Sequence, residues 1–203
     1  MKKLTILFLV FTLSACSSPD IHYYTLQGLY IPHDKVTMPA PGFRLEVLKV
    51  SVPVQVDSPE LVVRRNDTGL DILENDRWSA PLADEYQAAM TDRLERRLGT
   101  HNSSHLTNTE KLPVISVKIK VRRFESLPGQ YDFVDAVWSL TERRGGGREA
   151  RTLSCSSEFS KPAAADLNSV VMAHQKVLDE LAEVIARTLS SWIVNNGGEN
   201  CQS

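Results

Sequence analysis

Ile115, Val117, Ile119 and Val121 alternate with Ser116, Lys118, Lys120 and Arg122. A period of two puts the apolar set on one side of a pleated strand and the polar set on the other. The segment therefore predicts a strand with one face buried. Val134, Ala136, Trp138 and Leu140 repeat the pattern, and Leu153, Cys155 and Phe159 share a face on a third stretch. Arg143-Arg144-Gly145-Gly146-Gly147-Arg148 reads as the turn between these two. Gln130 to Phe159 thus predicts an antiparallel hairpin, and with the preceding strand a meander. Such a sheet has one apolar face that something else must cover.

Two amphipathic helices can supply that cover. In NDRWSAPLADEYQAAMTDRLERRLG, Ser79 can cap and Pro81 suits the first turn, while Asp84 and Glu85 complement the helix dipole. Leu82, Tyr86, Met90, Leu94 and Leu98 recur at four-residue steps, joined by Ala89, and Gly99 stops the helix. A single apolar stripe predicts Arg93, Glu95 and Arg96 facing out. From about Asp166 to Trp192, the residues Val170, His174, Val177, Leu178, Leu181, Ile185, Leu189 and Trp192 trace one helical face. Upstream, Ile21 to Leu26 predicts a first strand. Phe43 to Val47 alternates before its phase changes through Leu48, Val50 and Val52. Leu61 to Arg65 and Leu70 to Leu73 flank Asn66-Asp67-Thr68-Gly69 as a hairpin. This order predicts an α+β fold: a mainly antiparallel sheet of about five to seven strands with two long amphipathic helices packed on one face.

The chain begins Met1-Lys2-Lys3, followed by an apolar run from Leu4 to Leu13. A membrane-spanning helix needs about 20 residues, so the run fits the apolar region of a signal peptide instead. Leu13-Ser14-Ala15-Cys16 resembles the lipobox of bacterial lipoproteins. The resemblance implies that the Cys16 thiol is diacylated, that the chain is cut before it, and that the new amine is acylated. A thiolate is the nucleophile such chemistry needs. Each buried methylene contributes about 0.8 kcal/mol, so two or three chains hold where one does not. The other reading is an ordinary secretory signal with a chance cysteine. Ser17, where such lipoproteins carry Asp for inner-membrane retention, implies the periplasmic face of the outer membrane. The expected organisation is a cleaved signal at 1–15, then a lipidated N-terminus, first strand and tether at 16–42. One α+β domain is expected at 43–203.

Removing residues 1–15 leaves 188 of 203 residues and takes the formal charge from −2 to −4. That balance argues against a nucleic-acid partner. Two cysteines remain, Cys155 and Cys201. In an oxidising compartment they can pair as a staple between the tail and a strand. The alternative is a buried Cys155 beside a free tail thiol.

No phosphate loop, nucleophile elbow, dinucleotide fingerprint or zinc-protease helix occurs in the sequence. His101 and His105 lie in an expected loop with no third ligand in sight, so neither a metal nor a cofactor is expected. His174 falls on a core face. The candidate contact residues are instead aromatic and basic. Tyr23 and Tyr24 point to opposite faces of a strand, so one packs inward and the other is presented. Trp78 is either a core anchor or a partner hot spot. Arg122, Arg123, Arg143, Arg144, Arg148 and Arg151 gather around one meander. They read either as a solvated sheet end or as a contact for an acidic protein or lipid headgroups.

HYYTL soon after the lipobox, LEVLKVSVPVQVDSPELVVRR, and NDRWSAPL opening the first helix occur in that order. Together with the strand-rich middle and terminal helix, they resemble the ABC-type transport auxiliary lipoproteins, the PqiC-like family. The resemblance implies a non-enzymatic subunit of an intermembrane lipid transport system. Its partner would be an MCE-type periplasmic conduit protein, which it would dock to the outer membrane. A second copy of the chain is a further candidate partner. The rival reading is an outer-membrane assembly or envelope-maintenance lipoprotein unrelated to lipid transport.

Overall fold

The computed structural model describes residues 19–29, 42–103, 112–144, 149–194 and 201. Among these lie seven strands and two helices. They run β1 (His22–Tyr24), β2 (Arg44–Val47), β3 (Glu60–Arg64), β4 (Leu70–Trp78), α1 (Leu82–Leu98), β5 (Val114–Leu127), β6 (Tyr131–Arg143), β7 (Arg151–Pro162) and α2 (Leu167–Val194). The meander is present as β5–β6–β7, paired antiparallel from Val114↔Arg143 to Leu127↔Tyr131 and from Tyr131↔Pro162 to Glu142↔Arg151. The β3–β4 hairpin is present too, with Val62↔Ile72 and Arg64↔Leu70 opposed.

The expected single, mainly antiparallel sheet is corrected. The strands form two mixed sheets, one ordered β1-β4-β3 and the other β2-β5-β6-β7. β1 pairs parallel with β4, and β2 parallel with β5. Parallel partners cannot be joined by a tight turn. Between β2 and β5 the chain therefore builds β3, β4 and α1 before returning, and no local pattern marks that pairing.

Ile115, Val117, Ile119, Val121, Val134, Ala136, Trp138 and Leu140 form the sheet side of one core. α2 lies on β6 and β7 and also packs against α1. The apolar residues assigned to both helices from their spacing are buried. Arg93 departs from expectation. It is 1 % exposed, because α2 covers a second side of α1. Its Nε donates to Asp179 at 2.9 Å and its Nη1 to the Ala89 carbonyl at 3.0 Å. Burial holds its pKa below the usual arginine range against the pull of Asp179.

The start of α1 also differs. Pro81 occupies the cap position without a side-chain cap. Ser79 stands two residues earlier and donates its hydroxyl to Glu85. Glu85 is not an exposed dipole partner but is buried. It also accepts from the Thr25 hydroxyl at 2.7 Å and the Leu26 amide at 2.9 Å. This carboxylate fastens the segment after β1 to α1 and keeps Leu26 inside the core. At the other end Gly99, at φ 61°, takes the left-handed conformation and its amide returns to the Glu95 carbonyl.

Cys155 and Cys201 are bonded, with Cα atoms 5.8 Å apart and a sequence separation of 46. The Cys201 sulfur also lies 3.5 Å from the Ser154 carbonyl oxygen. A closed loop of that length stabilises by roughly 4 kcal/mol in the chain-entropy model. Cys201→Ser should therefore lower unfolding stability by about 2–4 kcal/mol, read by denaturant titration without reductant. An unshifted midpoint would show that the bond constrains nothing. Glu85→Ala leaves the Leu26 amide and the Thr25 and Ser79 hydroxyls without their acceptor, at a cost of about 2–4 kcal/mol. Limited proteolysis should then cut between Tyr24 and Leu29 before the domain unfolds. Wild-type resistance there would count against the clamp.

Candidate functional site

The residues singled out from sequence do not converge on one site. Tyr23 is 65 % exposed, whereas Tyr24 packs against the core and donates its hydroxyl to Asp76 at 3.1 Å. Trp78 is 4 % exposed and meets Phe124 edge to face at 6.2 Å between centroids. It is a core anchor and offers a partner no surface. Cys16, His105 and Arg148 lie outside the described residues. His101 is exposed, 3.8 Å from Glu95. Among the described residues no group of three or more His, Cys, Asp or Glu is placed to hold a metal ion.

The arginines were expected to gather, and they separate into two groups. Arg143 donates to Glu46 at 2.6 Å, while Arg144 and Arg151 share Glu142, all at the start of the meander. Arg151 also stacks over Trp192 at 5.2 Å. Arg122 and Arg123 sit eight and nine residues along β5 from Val114, roughly 27–30 Å away at about 3.3 Å per residue. Arg122 falls at a bulge between Val121 and Arg123 and donates to Asp135 at 2.6 Å. Arg123 and Arg64 both grip Glu125, each through two nitrogens at 2.9–3.0 Å. Those guanidinium bonds hold the Glu125 carboxyl down at about 2. Each described arginine of the two groups thus already has a carboxylate, so neither group is a patch of free positive charge.

The Arg122 group rims a groove of about 340 Å³ between β5 and the β3–β4 hairpin. Its walls include Val56, Val62, Leu70 and Phe124, and Ser126 lies at its inner side. Ser126 leads into a buried polar cluster that sequence reading did not assemble. Its hydroxyl is 2.7 Å from His174 Nε2, and Asp132 Oδ1 is 3.3 Å from the same nitrogen. His174 stacks on Phe124 at 3.9 Å between ring centres. Among the described residues no hydrogen bond reaches His174 Nδ1.

Serine, histidine and aspartate are the residue types of an acyl-transfer triad, but the geometry is not one. In a triad the acid holds Nδ1 while the serine addresses Nε2. Here both crowd Nε2, and all three side chains are buried. Burial favours the neutral form of both titratable groups. Burial pushes Asp132 up to about 7 and His174 down to about 3. The raised carboxyl supplies stability that is present below the unfolded Asp value, near pH 4, and is lost as pH rises through about 7. The depressed histidine supplies stability that is present above about pH 6.5 and lost as pH falls toward 3. Asp132→Asn removes only the first term. Its melting temperature should therefore rise relative to wild type on going from pH 5 to pH 8. A pH-independent difference would mean that Asp132 does not titrate in this range.

Comparison with known proteins places this fold. The profile of the ABC-type transport auxiliary lipoprotein component matches residues 24–186. No curated protein matches the chain significantly. A crystal structure of an uncharacterized protein superposes with a TM-score of 0.63 at 17% identity, covering 84% of this chain and 99% of the other. A Xanthomonas campestris protein of the DUF330 family superposes with a TM-score of 0.59 at 18% identity, covering 86% and 98%. At those identities the likeness shows a shared fold. The profile spans most of the chain, from β1 through most of α2, and the chain belongs to the ABC-type transport auxiliary lipoprotein family.

Proposed function

We propose that the protein is acylated at Cys16 and docks an MCE-type periplasmic conduit protein of an ABC transport system to the outer membrane. The observation that carries this reading is the family match at residues 24–186, starting eight residues after Leu-Ser-Ala-Cys. Ser17 supports delivery to the outer membrane, and a mature formal charge of −4 leaves nucleic acid without a binding field. The role is adaptor rather than catalyst: the buried serine, histidine and aspartate do not form a reactive constellation. The Cys155–Cys201 bond suits an oxidising compartment.

The surface proposed for the conduit is the start of the meander, where Arg143 is 55 % exposed. Arg143 and Arg144 lie far along β5 from the hairpin. Photo-crosslinking from position 143 in cells should capture the conduit protein. Replacement of Arg143 and Arg148 by Gln, with Arg144 left on the buried Glu142, should reduce its co-purification at least several-fold while leaving the melting temperature within a few degrees. Capture of outer-membrane assembly machinery in place of a conduit protein would overturn the reading in favour of an assembly role.

A further inference from the structure

Apolar side chains are uncovered at one end of the three-stranded sheet. Ile72 is 64 % exposed and Leu70 is 48 % exposed. The register Val62↔Ile72 and Arg64↔Leu70 places both on the same face of the β3–β4 hairpin. On the neighbouring strand Tyr23, beside Arg77 and so five residues along β4 from Ile72, is 65 % exposed, and Ile21, two residues earlier and toward the Leu70 side, is 48 % exposed. Single exposed apolar residues are ordinary, whereas a pair on one hairpin face with two more on the same sheet calls for a partner.

The direction of β1 shows which partner lies there. β1 runs parallel to β4 with His22 beside Asp76. The chain therefore enters β1 from the Leu70 end of β4. Six residues separate Cys16 from His22, and six separate Leu70 from Asp76. Six residues reach at most about 21 Å, even fully extended. The Glu85 clamp on Thr25 and Leu26 prevents β1 from peeling away to lengthen the tether. An acylated Cys16 therefore keeps His22 within about 21 Å of the bilayer surface, and the chain enters β1 from the side on which the hairpin lies.

We infer that the β3–β4 hairpin and the exposed edge at Ile21 and Tyr23 form a membrane-contact surface, with Leu70 and Ile72 entering the interfacial region of the phospholipid leaflet that holds the anchor. The inference rests on acylation of Cys16. The contact is apolar rather than charge-driven. Arg64, Arg65, Arg122 and Arg123 around this end are matched by Asp67, Asp71, Glu125 and Asp135. Of these, Arg64, Arg65, Arg122 and Arg123 form salt bridges with Glu125, Asp71 and Asp135. Tyr23 suits the same interface, where an aromatic ring can bury its body and keep its hydroxyl wet. The surface also sits at the far end of the meander from Arg143, leaving that end free to face away from the membrane.

The test uses the full acylated protein in phosphatidylethanolamine–phosphatidylglycerol vesicles whose acyl chains carry bromine. Ile72→Trp places a fluorophore at the proposed contact, and Thr152→Trp places one at the opposite end of the meander. The native Trp78, Trp138 and Trp192 are buried and give a common background. Brominated lipid should quench the added fluorescence of Ile72→Trp at least twofold, should leave Thr152→Trp unchanged, and should do so equally at low and high salt. Equal quenching of both variants, or of neither, overturns the surface. Quenching abolished by salt overturns its apolar character. Mass measurement of the same preparation separates the two levels of argument. An unmodified Cys16 refutes the anchor itself, whereas an acylated protein without quenching at position 72 refutes only the contact surface.

Discussion

Glu85 accepts hydrogen bonds from Thr25, Leu26 and Ser79 inside the core, and through them the N-terminal segment becomes part of the folded domain. Without that carboxylate β1 would be a three-residue strand held to β4 by few bonds, free to fray into a longer tether. With it, Leu26 is locked against α1 and Tyr24 against Asp76. The position of the domain relative to its own N-terminus is thereby set to within a few residues of chain. A buried carboxylate is costly unless its lone pairs are satisfied. Glu85 meets that condition with two hydroxyls and a backbone amide, all from the segments it joins.

Arg93 and Asp179 do for the two helices what Glu85 does for the N-terminus. The guanidinium is enclosed between α1 and α2 and reaches the Ala89 and Gln175 carbonyls as well as Asp179. Removing Asp179, which is itself half exposed, would strand the guanidinium in a poorly solvated place. Together these contacts tie elements that the sequence separates by tens of residues.

Local periodicity carried much of the fold. The alternation at 115–121 and 134–140 and the four-residue steps from Leu82 to Leu98 located strands, helices and the faces they bury. The β3–β4 hairpin was legible from Asn66-Asp67-Thr68-Gly69. The two parallel ladders were not legible, because β1–β4 and β2–β5 join segments with no shared turn. Arg93 was read as outward because one apolar stripe accounts for one neighbour, and α1 has two. Glu85 was read as a dipole partner because two of its three hydrogen-bond donors, Thr25 and Leu26, lie about sixty residues upstream. At the surface, Tyr23 and Tyr24 divided as strand alternation requires, and Trp78 resolved as a core anchor. The arginines divide into two groups because proximity in sequence along a meander is not proximity in space. Ser126, Asp132 and His174 could have been brought together only by knowing the β5–β6 register.

α2 is the last of the described elements, and it lines the core from Val170 to Trp192. β5, β6 and β7 therefore have no cover for their inner face until nearly the whole polypeptide is available. A chain delivered across a membrane from its N-terminus would keep that apolar face open throughout its passage and shut it only at the end. Processing near residue 16 would then act on a substrate still without tertiary structure, and maturation would precede folding.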